Sequence, residues 1–216
     1  MAALKVGVLI SGRGTNLQAL LDACAAPAFP AKIAAVISNR SDAGGLDRAR
    51  RAGVPTQILP HRDFKDRESF DKAMDGALTA HGVEFVCLAG FMRLLSPWFV
   101  AKWRDKLINI HPSLLPCFKG LEPQGQAIAA GVRLSGCTVH FVREETDSGP
   151  IIVQAAVPVL DGDTPDSLAA RILAAEHRAY PLALRLVAEG RVRVDGDKVT
   201  VRGVGAAGVL MSPGGA

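Results

Sequence analysis

At 216 residues, 49% of them hydrophobic, the chain has the length and composition of one well-buried domain, which excludes a disordered chain. Its net charge of +4 is spread without any Lys/Arg run, and only 5% of residues are aromatic. That excludes a basic, base-stacking nucleic-acid surface and suits small anionic ligands. No apolar run approaches the roughly 18 residues of a membrane span, and no signal-peptide pattern precedes the first strand-like segment. Cys24, Cys87, Cys117 and Cys137 form no CxxC pair and show no ligand spacing, so the pattern predicts a reducing cytoplasm and no metal.

In chain order, Leu4–Ile10 is an apolar strand followed by Ser11-Gly12-Arg13-Gly14-Thr15-Asn16, and Leu17, Leu20, Leu21 and Cys24 recur at helical spacing. A strand, a glycine loop and a helix aim backbone N–H groups at an anion, with Gly12 and Gly14 for close approach and Thr15 and Asn16 as donors and caps. The loop is neither a Walker A motif nor a full dinucleotide fingerprint, since Leu17 stands where a third glycine belongs. A second strand, 33–38, ends in Asn39-Arg40 with no ribose-binding acid, which disfavours NAD and leaves NADP formally open. A glycine turn that binds nothing is the other reading.

A helix over 43–53, a strand over 56–59, a polar connection over 61–66 and a helix over Arg67–Ala80 follow. A buried strand over 85–89 leads to Gly90-Phe91-Met92-Arg93-Leu94-Leu95, whose apolar side chains and backbone groups suit a flat aromatic ligand or a plain covering loop. A helix over 97–103 opens onto the strand Leu107–His111, in which Asn109 and His111 share one face and Ile108 and Ile110 the other. Pro112 stops that strand. An amide beside an imidazole at a strand end either stabilises a developing oxyanion or is a satisfied histidine next to a capping asparagine.

A short helix over 124–131 precedes an antiparallel pair within 139–157, with Thr138, His140 and Val142 on one face of its first strand. The acidic loop Arg143-Glu144-Glu145-Thr146-Asp147-Ser148-Gly149-Pro150 joins the two. The last long helix starts at Asp163-Thr164-Pro165, with Leu168, Ile172 and Ala175 inward, and is expected to bend or break at Pro181. A hairpin over 192–201 turns around Gly196. Strands alternating with helices predict an α/β, doubly wound, mostly parallel twisted sheet of Rossmann-like form with an antiparallel C-terminal part. The glycine loop, the Met92 segment and the Asn109/His111 pair would then share its C-terminal edge. The expected organisation is a single domain over 1–202 with a mobile tail over 203–216.

The chain resembles the phosphoribosylglycinamide formyltransferases of purine (IMP) synthesis. The residues that carry the likeness are Val8-Leu9-Ile10-Ser11-Gly12-Arg13-Gly14-Thr15-Asn16-Leu17, Leu88-Ala89-Gly90-Phe91-Met92-Arg93, Asn109-Ile110-His111-Pro112-Ser113-Leu114-Leu115-Pro116, Thr138-Val139-His140-Phe141-Val142 and Asp147-Ser148-Gly149-Pro150. Related formyl-folate enzymes share the third of these. Methionyl-tRNA formyltransferases add a C-terminal domain and formyltetrahydrofolate deformylases an N-terminal one, and 216 residues are expected to hold neither.

The resemblance implies formyl transfer from 10-formyltetrahydrofolate to glycinamide ribonucleotide, with His111, Asn109 and Asp147 as the catalytic set and no metal. It implies that Gly14, Thr15, Asn16 and Glu176 hold the ribonucleotide, with Leu173 at a position where some members reach the phosphate through a polar side chain. Arg67, Met92, Arg93, Leu94, Leu95, Asn109 and the loop Arg143, Glu144, Glu145, Thr146, Asp147 would bind the formyl folate. The implied partners are small molecules, with no nucleic acid and no membrane, for a cytoplasmic monomer or homodimer. The chain departs from the family at Glu122-Pro123-Gln124-Gly125, where histidines are common, and at Leu173. The rival readings are a formyltetrahydrofolate hydrolase, a nicotinamide-dependent reductase, which leaves Asn109, His111 and Asp147 without work, and a ligand-binding module that tolerates loss of His111.

Overall fold

Apolar runs of three to eight residues bounded by glycine, proline and polar turns become strands here, and the longer stretches with 3.6-residue periodicity become helices. The computed structural model describes residues 2–205, 208, 211 and 212. Two units can be distinguished, Met1–Asn109 with Phe141–Glu144, and Ile110–His140 with Glu145–Ala216. Most of the expected tail over 203–216 lies outside the described residues.

The first unit contains β1 (Leu4–Ile10), α1 (Thr15–Cys24), β2 (Ala31–Ser38), α2 (Gly45–Arg51), β3 (Thr56–Ile58), a 3-10 turn (His61–Asp63), α3 (Arg67–Ala80), β4 (Phe85–Leu88), α4 (Pro97–Lys102) and most of β5 (Leu107–His111). These strands pair in parallel, β1 with β2 and β4, β2 with β3, and β4 with β5. Two crossovers run outward from β1 to β3, and the chain then returns to place β4 on the other side of β1. The direction of winding therefore switches between β1 and β4, where the C-terminal ends of an open parallel sheet leave a crevice. Phe70, Met74 and Leu78, four residues apart on α3, pack with Leu9, Ile37, Val86, Phe99 and Leu107. Asp66 and Ser69 form a reciprocal cap at the N-terminus of α3.

Helix α3 also presents two buried carboxylates to α4. Asp75 accepts from Trp103 Nε1 at 3.0 Å and from Lys102 Nζ at 2.7 Å. Asp71 Oδ2 accepts the Ser96 backbone N–H at 2.6 Å, while its Oδ1 has no hydrogen-bond partner. Ser96 in turn caps α4 through the Phe99 N–H. Burial pushes the Asp71 carboxyl above the usual carboxylate range, and Ser96, Arg67 and Arg93 oppose the shift.

The second unit holds the end of β5, then α5 (Pro123–Ala129), β6 (Leu134–Phe141), β7 (Ile151–Pro158), α6 (Pro165–Ala188), β8 (Val192–Asp195) and β9 (Lys198–Val201). Strands β6 and β7 are antiparallel, with a register shift between Val139 and His140, and β8 and β9 form the expected hairpin around Gly196. Gly136 is required on β6, because a Cβ there would lie 1.9 Å from the Ala155 carbonyl oxygen. The hydrogen-bonded order of the seven-stranded sheet is β3-β2-β1-β4-β5-β6-β7, with β8-β9 as a separate pair. The fold is α/β with a mostly parallel sheet and an antiparallel C-terminal part, as the pattern predicts.

Two expectations about α6 need correction. The helix continues through Pro181 without a break. A proline inside a helix costs about 3 kcal/mol, but Ala179, Tyr180, Ala183 and Leu184 around it are all buried, and burying each large apolar side chain returns about 1.5–3 kcal/mol. The inward face also differs, since it runs Leu168, Ile172, Glu176, Tyr180 in steps of four and puts Glu176 inside, with Ala175 only half-buried. At 3.6 residues per turn, four-residue steps hold the stripe better than the three-residue step to Ala175.

Pro181→Ala should stabilise the protein by about 1–3 kcal/mol, because it restores one N–H to the α6 ladder; urea unfolding measures this, and a loss of stability would show that the pyrrolidine ring itself packs. Asp71 gives a pH test. A carboxyl whose pKa is raised on folding contributes stability at low pH, and this is lost as pH rises through its folded value. Wild type should therefore lose stability relative to Asp71→Asn as pH climbs above the ordinary carboxylate range. Parallel melting curves from pH 4 to pH 8 would contradict the burial argument.

Candidate active site

The first element is the glycine turn after β1. Gly14, at φ 72°, caps α1 with its backbone alone, so Thr15 and Asn16 do not serve as the expected side-chain caps. The α1 N-terminus is left with its N–H groups directed outward from the turn. Gly14 packs onto Gly45, where an added Cβ would sit 2.4 Å from Gly45 Cα, and Gly45 N donates to the Gly12 carbonyl at 3.1 Å. Arg48 Nε holds the Arg13 carbonyl at 2.9 Å. At Gly12 a Cβ would meet nothing within 4 Å, so space over the turn stays open. The backing by α2 through Gly44 and Gly45 is missed by motif reasoning. A paired glycine at a helix start is the signal that would have found it.

The second element follows β4. Ser11 joins it to the first, since Ser11 N donates to the Gly90 carbonyl at 3.1 Å and Met92 N donates to Ser11 Oγ at 2.8 Å. The hydroxyl itself donates a hydrogen bond to Asn39 Oδ1 at 2.6 Å. Met92 and Leu94 stand 73% and 60% exposed, an unusual condition for such side chains beside a parallel sheet edge. Arg67 and Arg93 both act on the Asp71 carboxylate and are brought to one place. Arg143 is turned to an ion pair with Asp105 at 2.5 Å, a partner the sequence gives no reason to expect. Asn109 lies opposite Leu88 at the end of β5, on the same edge.

The third element is built around His111, where β5 ends. The ring is buried, with Nε2 at 2.9 Å from the Phe118 carbonyl and Nδ1 at 3.4 Å from Asp147 Oδ2. The Phe118 carbonyl can only accept, so Nε2 is the nitrogen that donates there, and Nδ1 faces the carboxyl. Asp147 is itself 8% exposed and accepts from Gly120 N at 3.0 Å on the same oxygen, while its Oδ1 lies 3.8 Å from His140 Nε2. Phe118, Glu122 and Asp147 all take left-handed backbone conformations, at φ between 52° and 55°. Such angles cost a non-glycine residue about 1–2 kcal/mol each and cluster where geometry is imposed by function.

His140 is the site residue that the sequence reading leaves without a role. It occupies the second half of a polar-x-His pattern on β6, Thr138-Val139-His140, that parallels Asn109-Ile110-His111 on β5. The register shift beside it re-aims its side chain, as bulges near functional residues commonly do. Glu145 pairs with Lys119 at 3.0 Å, and Ser148 Oγ closes the loop on the Glu145 carbonyl at 2.7 Å. Glu144 and Thr146 remain exposed, Leu173 is half-buried, and Glu176 is buried on α6. Burial and then the charge of Glu176 push the Cys137 thiol up to about 12, which places that carboxylate near β6. Helix α5 starts at Pro123, one residue earlier than expected, with the proline at its first position after the left-handed Glu122. Among the described residues no group of three or more His, Cys, Asp or Glu could hold a metal ion, and no helix is long and apolar enough to cross a membrane.

A model of the formyl transferase family matches residues 4–184. The trifunctional purine biosynthetic protein adenosine-3 of Homo sapiens is 53% identical over 190 residues, which is 88% of this chain but 19% of that protein. The chain thus spans about a fifth of the length of such relatives. The phosphoribosylglycinamide formyltransferase of Escherichia coli (strain K12) is 45% identical over 191 residues, covering 88% of this chain and 90% of that protein. The crystal structure of glycinamide ribonucleotide transformylase 1 from Symbiobacterium toebii superposes with a TM-score of 0.90 at 53% identity, over 92% of this chain and 94% of that one. With the family match running from β1 into α6, this chain belongs to the formyl transferase family.

Proposed function

We propose that this chain transfers the formyl group of 10-formyltetrahydrofolate to the amino group of N1-(5-phosphoribosyl)glycinamide, as a step of de novo purine synthesis. The observation that carries the reading is the buried His111–Asp147 pair at the end of the strand that bears Asn109. The amine attacks the formyl carbon, a C–N bond forms, and the carbonyl oxygen takes the negative charge. Collapse breaks the bond to the folate nitrogen, which leaves with the proton that the amine has lost.

His111 and the Asn109 amide are the donors to that oxygen. In the free protein the Nε2 proton of His111 rests on the neutral Phe118 carbonyl. A charged oxygen is a better acceptor, since charge-assisted hydrogen bonds are roughly twice as strong as neutral ones. The ring therefore binds the tetrahedral state more tightly than the ground state, which is the condition for catalysis. One such donor is worth about 3–4 kcal/mol. Asp147 favours the imidazolium electrostatically and holds a water that carries the proton from amine to leaving nitrogen. His140 Nε2 stands 3.8 Å from the second carboxylate oxygen of Asp147.

The turn over Gly14, Thr15 and Asn16 takes the ribonucleotide phosphate on its N–H groups, and Glu176 serves the glycinamide end. Met92, Leu94 and Leu95 cover the pteridine, with Arg67 and Arg93 for the acidic tail of the folate. Leu173 offers the phosphate no polar group, so more of its binding falls to the turn. Arg143, committed to Asp105, contributes through its backbone, along with Glu144, Glu145 and Thr146. The free cysteines Cys24, Cys87, Cys117 and Cys137 suit a reducing compartment, which the cytoplasm supplies.

The test is tetrahydrofolate release from 10-formyltetrahydrofolate, with and without glycinamide ribonucleotide. Release that requires the nucleotide is expected; release without it would mark a hydrolase, and none in either tube would overturn the enzymatic reading. His111→Ala should lower kcat by about 10²-fold or more and leave both ligand affinities near wild type. Gly45→Ala pushes a Cβ within 3.2 Å of Gly14 Cα, and should raise the KM for the nucleotide about tenfold, or ~1.4 kcal/mol, with the folate KM little changed.

A further inference from the structure

The loop between His111 and α5 is held from outside by a side chain to which neither the proposed chemistry nor the family resemblance assigns a role. Gln154 on β7 lies directly opposite Thr138 on β6, so the two side chains share a face of the antiparallel pair. Gln154 Nε2 donates to the Leu115 carbonyl at 2.9 Å and to Thr138 Oγ1 at 3.0 Å. A carbonyl only accepts, so the amide's nitrogen and not its oxygen must face Leu115, and both of its N–H groups are used.

Thr138, fully buried, has no spare capacity either. Its hydroxyl donates to the Ser113 carbonyl at 2.7 Å and accepts from Leu115 N at 3.0 Å and from Gln154. Ser113 continues the chain of contacts, with its N–H on the His111 carbonyl at 2.9 Å and its hydroxyl on the Cys117 carbonyl at 2.6 Å. The next carbonyl along, that of Phe118, holds His111 Nε2. Three consecutive alternate carbonyls, on Ser113, Leu115 and Cys117, are thus anchored just before the one that orients the ring.

We propose that Gln154 is a positioning residue for His111, acting through Thr138 and the anchored backbone of Ser113 and Leu115 to fix the Phe118 carbonyl against the ring. The inference rests on the formyl-transfer reading for its kinetic consequence, but its structural consequence stands without it. Gln154 is exposed apart from this contact, so its replacement opens no cavity in the core. Gln154→Glu keeps the shape and removes both donors, and sets a carboxylate against the Leu115 carbonyl.

The experiment compares wild type with Gln154→Glu, Gln154→Ala, Thr138→Val and Thr138→Ser. Ring 15N–1H correlation spectra of the five histidines, with His111 assigned by its absence in His111→Ala, report the Nε2 proton with no substrate present. Steady-state kinetics report kcat and both KM values, and thermal melts report stability.

Gln154→Glu should shift or broaden the His111 Nε2–H signal and lower kcat between about tenfold and a hundredfold, the scale of a misplaced catalytic group. Both KM values should stay within about twofold, since ligand contacts are not altered. Thr138→Val should act in the same direction, and Thr138→Ser, which keeps all three hydrogen bonds, should restore the rate. An unchanged His111 signal in Gln154→Glu would overturn the proposal, as would a rate loss that merely follows the melting temperature. Absence of formyl transfer by wild type would overturn the reading of function instead, and the ring spectra would still decide the role of Gln154.

Discussion

A carboxylate as buried as that of Asp147 has to be paired, because an isolated charge withdrawn from water costs far more than the loop around it could offset. Its partners are two imidazoles and one backbone N–H, contributed by β5, β6 and the turn at Gly120. Each partner constrains a different piece of chain. The end of β5, the bulge in β6 and the left-handed turn at Asp147 itself can all be read as solutions to that one requirement. The strain at Phe118, Glu122 and Asp147 is tolerated because so many bonds over-determine the loop.

In the first unit the comparable constraint is the switch of winding direction between β1 and β4. It leaves two turns side by side whose backbone groups would otherwise be unsatisfied at a sheet edge. Ser11 meets part of that demand with one residue, bonded to Gly90, Met92 and Asn39. The glycine turn after β1 and the Met92 segment after β4 are therefore mechanically joined, and a movement of one is felt by the other. Close packing of Gly14 on Gly45 gives the glycine turn a rigid floor, while the space over Gly12 remains open.

The same economy appears in how polar groups are spent. The side-chain donors of Thr138, Gln154 and Ser113 are all spent on the carbonyls of one loop or on each other, and none on another side chain's charge. A saturated network of this kind is directional and resists rearrangement, whereas an apolar contact of equal area would let the loop slide. Asp71 is the counter-example, a buried carboxylate with one oxygen unpartnered, and it sits where α3 and α4 meet the exposed Met92 segment.

Much of this was legible from residue order. Period-two alternation and a terminal proline defined β5 and its Asn109/His111 face, helical spacing of Leu17, Leu20, Leu21 and Cys24 defined α1, and the Gly196 turn defined the last hairpin, because each is a local preference written within a few residues. The unbroken run of α6 through Pro181, and Glu176 in place of Ala175 on its buried stripe, were not legible, since packing from neighbours on the helix overrode the local cost of a proline and a charge. The pairing of Arg143 with Asp105, of Gly14 with Gly45, of Asp147 with His140 and of Gln154 with Leu115 was decided only in three dimensions. Three of those pairs lie more than thirty residues apart and the fourth spans the loop after β6, and no periodicity encodes a contact that depends on which strand ends beside which.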